Sequence, residues 1–131
     1  MSYEIRQIQH VSLPIPPDDE ALREGRRFYV EILGLREVDR PPALPNRGLW
    51  FRIGDQELHL FSEPGGVAVN PESRRHPCFR VDDVAGLRRH LDDNGVRTLD
   101  DDGEIPGRPR FFAIDPFGNT LEFVRFEANH W

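Results

Sequence analysis

The chain has 131 residues, 37% of them hydrophobic and 31% charged, with nine Phe and two Trp; this is one ordinary domain with enough apolar material for a packed core and too much for a disordered chain. A net charge of −6 argues against a basic surface for nucleic acid, and no apolar run approaches the roughly 18–20 residues that span a bilayer. A lone cysteine, Cys78, leaves no internal disulfide.

The N-terminus, MSYEIRQIQH, has neither a basic n-region nor an apolar h-region, so a cytoplasmic location is expected. Every basic residue other than histidine is arginine, which excludes a Schiff-base lysine and a P-loop lysine.

In chain order, residues 8–13 (IQHVSL) read as a strand, with Val11, Leu13 and Ile15 on one face. Asp18, Asp19 and Glu20 supply an acidic helix start. Ala21, Gly25, Phe28, Tyr29, Ile32 and Leu33 follow at helical spacing, and Gly34 stands where the helix should stop. A short stretch at 36–38, a proline-rich loop, and two strands at 49–53 and 57–61 complete a first unit. Residues 63–74, with Pro64, Gly65, Gly66 and Pro71, read as a linker.

The second half repeats this order. A strand is predicted over 76–81 and a helix begins at Asp82 and Asp83, with Val84, Leu87 and Leu91 inward and Asn94-Gly95 at its end. A short stretch at 96–99 precedes an acidic loop, and a hairpin is formed by 110–114 and 120–126. Superposing the halves matches His10 with His76, Gly34 with Gly95, Ile53 with Ile114, and residues 58–61 (LHLF) with 121–124 (LEFV).

Alternate residues of a strand point to opposite faces. His10, His59, His76 and Glu122 each have the parity opposite to the helix-packing residues of their strands, so the four are candidates for one polar site. Imidazole and carboxylate suit Zn, Fe, Ni or Mn. The motif is not a short local signature; its weight comes from equivalent positions in a repeat. Only five histidines are present, and three fall on these positions. Of the others, His90 is expected on the exposed side of its helix and His130 in a loose tail.

The paired strand–helix–three-strand units, the residues Phe28, Tyr29, Leu33, Gly34 and Leu35, the histidine opening the second unit, and the run Asp115-Pro116-x-Gly118-Asn119-x-x-Glu122 together resemble the vicinal-oxygen-chelate superfamily of glyoxalases, bleomycin-resistance proteins and extradiol dioxygenases. The likeness extends over about residues 5–126. It implies an α+β fold, two βαβββ modules forming a curved mixed sheet around a metal-binding cavity. A single glyoxalase-like domain is expected, with module one at about 5–62, a linker at 63–74, module two at about 75–126 and a tail at 127–131.

The resemblance implies His10, His59, His76 and Glu122 as ligands of a divalent metal. Members like bacterial glyoxalase I hold a glutamate at the position of His59, whereas dioxygenases and fosfomycin-resistance enzymes use a His-His-Glu triad. It also implies a homodimer in which the first unit of one subunit completes the cavity with the second unit of the other.

The leading functional expectation is a metal-dependent lyase or isomerase acting on a small molecule whose adjacent oxygens are chelated, with Glu122 as base. An Fe(II) dioxygenase using His10, His76 and Glu122 is the alternative. A non-catalytic antibiotic-binding protein is another, with Trp50 stacking on the drug. A fosfomycin-type thiol transferase would use Arg52, Arg80 and Arg110 on a phosphonate. Trp50, Arg52, Phe61, Cys78, Arg80, Arg110 and Phe112 are the pocket candidates. The segment Asp115-Pro116-Phe117-Gly118 is expected to act as a turn, and Asp100, Asp101 and Asp102 as a solvated loop.

Overall fold

The computed structural model describes residues 3–68, 70 and 72–127; His130 and most of the expected tail lie outside them. The chain divides after Val67 into two compact units.

The first unit contains β1 (His10–Ile15), α1 (Asp19–Arg26) running into a π-helical turn (Arg27–Ile32), β2 (Arg36–Val38), β3 (Gly48–Ile53) and β4 (Gln56–Ser62). Its four strands form one sheet in the order β1-β4-β3-β2. β1 and β4 are parallel and the other pairs antiparallel. The second unit contains β5 (Cys78–Arg80), α2 (Val84–Asp93), β6 (Thr98–Asp100), β7 (Arg110–Ile114) and β8 (Thr120–Val124), in the sheet order β5-β8-β7-β6. The parallel pair is again the first strand with the last. Two βαβββ units, each with a four-stranded mixed sheet and a helix, make the expected α+β glyoxalase-like fold.

The local chemistry explains the helix limits. Asp18 accepts a hydrogen bond from the Ala21 amide at 2.8 Å, and Asp83 one from Gly86 at 2.9 Å, satisfying amides that have no partner within the helix. Gly34 and Gly95 follow the helices at φ 77° and 74°, the left-handed conformation that lets a helix stop. The first helix is not uniform, however. The Leu33 amide reaches back five residues to the Phe28 carbonyl at 2.9 Å. This wider turn keeps Phe28, Tyr29 and Ile32 buried and leaves Leu33, expected in the apolar stripe, only half-buried.

The cores lie on the helix side of each sheet. Leu13, Ile15, Leu49, Phe51, Leu58 and Leu60 meet Phe28 and Tyr29 in the first unit, with the Tyr29 and Phe51 rings stacked at 5.5 Å. In the second unit Phe111, Ala113, Leu121 and Phe123 pack beside Leu91, and Phe111 stacks on Phe123 at 5.2 Å. Each of the buried Leu, Ile and Phe side chains contributes about 1.5–3 kcal/mol on burial.

Two expectations need correction. His76 precedes β5 rather than lying in it, because pairing with β8 begins at Cys78. The register also shifts the internal alignment by one residue. Trp50 pairs with His59 and Phe112 with Glu122, so Trp50 corresponds to Phe112 and Ile53 to Asp115, not Ile114. The five-residue turn of the second hairpin absorbs the difference. Among the described residues, no helix is long and apolar enough to cross a membrane.

Candidate functional site

On the face of the first sheet opposite the helix, His10, Trp50 and His59 form a three-ring stack. His59 lies between the other two, 4.1 Å from His10 with planes 16° apart and 4.2 Å from Trp50 with planes 5° apart. The strands dictate this: Trp50 pairs directly with His59, and His10 lies two residues from Ser12, the β1 partner of His59. His59 is buried although polar. Its Nε2–H donates to Glu57 Oε1 at 2.8 Å, and His10 Nδ1–H donates to Gln9 Oε1 at 2.7 Å. Glu57 also takes a hydrogen bond from the Gln9 side chain, so the two imidazoles are tied through one chain of polar groups. The His59 hydrogen bond is the main cause holding the Glu57 carboxyl below the usual glutamate range.

The second unit centres on Glu122, which is buried. Its Oε1 lies 3.1 Å from His76 Nε2 and 3.1 Å from Arg110 Nη1, and its Oε2 accepts from the Cys78 thiol at 2.9 Å. His76 Nδ1–H donates to the Arg74 carbonyl at 2.7 Å, which fixes the ring with Nε2 turned toward Glu122. Phe112, the cross-strand partner of Glu122, meets His76 edge-on at 5.3 Å and lies under the Arg110 guanidinium at 5.4 Å. Cys78 has an exposed surface, yet its sulfur is turned toward Glu122. Burial first, then the Glu122 carboxylate, pushes its thiol up to about 12.

The structure therefore brings the predicted ligands together in two pairs, His10 with His59 and His76 with Glu122. The other pocket candidates divide between the same faces. Phe61 shares a face with His59, and Arg52 is opposite Glu57 with its Nε–H on the Gly54 carbonyl at 2.8 Å. Arg80 lies on the Cys78 face, its guanidinium 5.3 Å from the Phe126 ring centre.

The donor chemistry fits a divalent metal in the second unit. Two ligands each about 2.1 Å from one ion and at right angles to each other are about 3 Å apart, close to the His76–Glu122 separation. The first unit fits less simply, since two stacked rings hold their in-plane lone pairs side by side rather than converging. Among the described residues, no group of three or more His, Cys, Asp or Glu side chains is arranged to hold a metal ion.

Sequence reasoning missed Gln9 and Glu57, and read the acidic loop as solvated without its arginine partners. Strand parity exposes Glu57, which lies two residues before His59 and pairs with His10. The loop is engaged with arginines rather than only solvated: Asp100 with Arg88 at 2.7 Å, Asp101 with Arg110 at 3.8 Å, and Asp102 with Arg74 at 3.0 Å. The Asp115 segment is the expected turn. Asp115 is buried and takes hydrogen bonds from the Phe117 and Asn119 amides at 2.9 and 2.8 Å, and Gly118 has φ 89°.

Comparison with known proteins agrees with this architecture. No curated protein sequence matches the chain. A glyoxalase family protein from Bacillus anthracis is 35% identical, with a TM-score of 0.83 over 97% of this chain and 100% of that one. A lactoylglutathione lyase from Agrobacterium tumefaciens is 25% identical, with a TM-score of 0.69 over 94% and 96%. A genomically encoded fosfomycin resistance protein from Listeria monocytogenes shares the fold at 15% identity, with a TM-score of 0.76 over 97% and 96%. Residues 7–123 match the sequence profile of the Glyoxalase/Bleomycin resistance protein/Dioxygenase superfamily. The chain belongs to that superfamily.

Proposed function

We propose that the chain is a cytoplasmic, homodimeric, metal-dependent lyase or isomerase that acts on a small molecule with two adjacent oxygens. The observation that carries this reading is the His76–Glu122 pair, whose donor atoms stand 3.1 Å apart with the other His76 nitrogen fixed on a backbone carbonyl. His10, His76 and Glu122 are the proposed ligands. His59, the fourth position expected from the sequence, is enclosed between two rings and bound to Glu57, so its role is assigned to holding His10. A bound divalent metal supplies Lewis-acid polarisation of the two substrate oxygens.

Glu122 is the residue placed to move a proton. It is buried and its two oxygens have different neighbours, Oε2 facing Cys78 and Oε1 facing His76 and Arg110. Transfer of a proton from a carbon beside the polarised carbonyl to Glu122, and its return to the neighbouring carbon, would isomerise the substrate. Phe112 supplies apolar surface beside Glu122 and His76, favouring a substrate that is only partly charged. The likeness to a lactoylglutathione lyase supports this reaction class.

The test is turnover of a glutathione hemithioacetal by the metal-reconstituted protein. Glu122→Gln should lose at least about a hundredfold in kcat. Failure to turn over any hemithioacetal with metal bound would overturn the isomerase reading.

The role given to His59 favours one second reading. Three protein ligands leave positions for both a chelating catechol and oxygen, as an Fe(II) dioxygenase requires. Oxygen uptake with catechols by iron-loaded protein, without hemithioacetal turnover, would select it.

A further inference from the structure

Arg110 occupies an unusual position beside the proposed ligand pair, His76 and Glu122. Its side chain is 11% exposed and Glu122 12%. Nη1 lies 3.1 Å from Glu122 Oε1, the same oxygen that faces His76 Nε2. Nη2 donates to the Gly103 carbonyl at 2.8 Å and lies 3.5 Å from Asp102 Oδ1. Nε is buried without a hydrogen bond among the described residues and faces Asp101 Oδ2 at 3.8 Å. One guanidinium thus stands between two sets of carboxylates, with a hydrogen bond to the buried one and only longer-range contacts to the loop carboxylates.

Resting on the metal reading above, we propose that Arg110 is a positioning residue that stands in for the metal's charge at Glu122, and that Asp101 and Asp102 receive it when a metal binds His76 and Glu122. A buried carboxylate left without a cation is costly, so the metal-free site needs Arg110. A metal and a guanidinium sharing Oε1 repel each other, so loading the site requires Arg110 to turn toward the loop. The loop carboxylates at 3.5 and 3.8 Å lower the cost of that move, and the unsatisfied Nε supplies a donor for Asp101. Metal affinity and the conformation of the 101–103 loop are therefore linked, and the linkage is reciprocal.

The measurement is Zn²⁺ and Co²⁺ affinity by competition titration of the full chain. Arg110→Met keeps the stem on Phe112 but removes the competing charge, and tightens metal binding by about tenfold or more. Asp101→Asn with Asp102→Asn, both on the loop, weakens it by a similar factor in the native background. In the Arg110→Met background the loop substitutions have little effect, because no guanidinium is left to receive. This cycle distinguishes handover from a general attraction of acidic residues for metal.

Unchanged or weaker binding by Arg110→Met overturns the proposal, as does an undiminished loop effect in the Arg110→Met background. Both results leave the metal reading standing if the native chain binds metal. Absence of metal from the native chain and all variants overturns both. Binding regained only in Arg110→Met supports the handover directly.

Discussion

Glu57 and Arg110 show how single side chains set the two polar faces. Neither a histidine nor an isolated acid, Glu57 connects the two imidazoles of the first unit through Gln9. Its hydrogen bond to His59 lowers its carboxyl below the ordinary value, so folding favours the ionised form. Stabilisation is then present above the usual glutamate range and is lost as pH falls through the lowered value. Glu57→Gln should accordingly melt below the native chain at pH 7, with the gap closing in an acid series toward pH 3. A gap that persists undiminished would show that the carboxylate charge is not what holds His59.

The candidate ligands themselves were legible from sequence by parity in a repeat. Their partners were not, because a hydrogen bond to Gly103 or Arg74 depends on loop conformation, which carries no periodicity. His76 was recognised as a candidate, yet its strand was drawn too long; nothing in the sequence marks where pairing with β8 begins.

At the scale of elements, alternating apolar residues and glycine stops made most strands and both helices readable. The π-helical turn was not, since its apolar spacing at Phe28, Tyr29 and Ile32 is equally good for an α-helix. A tighter constraint is hidden in β3. A Cβ on Gly48 would run into the Leu60 backbone carbonyl of β4, which the strand ladder prevents from moving. Gly48→Ala should therefore cost about 2 kcal/mol or more in urea unfolding. Gly65→Ala, where an added Cβ meets nothing within 4 Å, should stay within about 0.5 kcal/mol. Equal effects at the two positions would contradict the assigned β3–β4 register.

For the whole molecule, the sequence displayed its duplication because matching positions carry matching chemistry: His10 with His76, His59 with Glu122. Strand pairing extends that equivalence to Ser12 with Cys78 and Trp50 with Phe112, which the sequence alignment had not reached. The repeat places one donor pair in each unit, and the function proposed here depends on His10, His76 and Glu122 binding a metal. The most direct test is elemental analysis of protein purified without chelator, native and after reconstitution with Zn, Ni, Fe or Mn. The account predicts one equivalent of divalent metal per chain, lost in His76→Ala and Glu122→Ala and kept in His90→Ala, whose histidine is exposed on α2. A native chain that takes up none of these metals, or equal metal in His76→Ala, would contradict it.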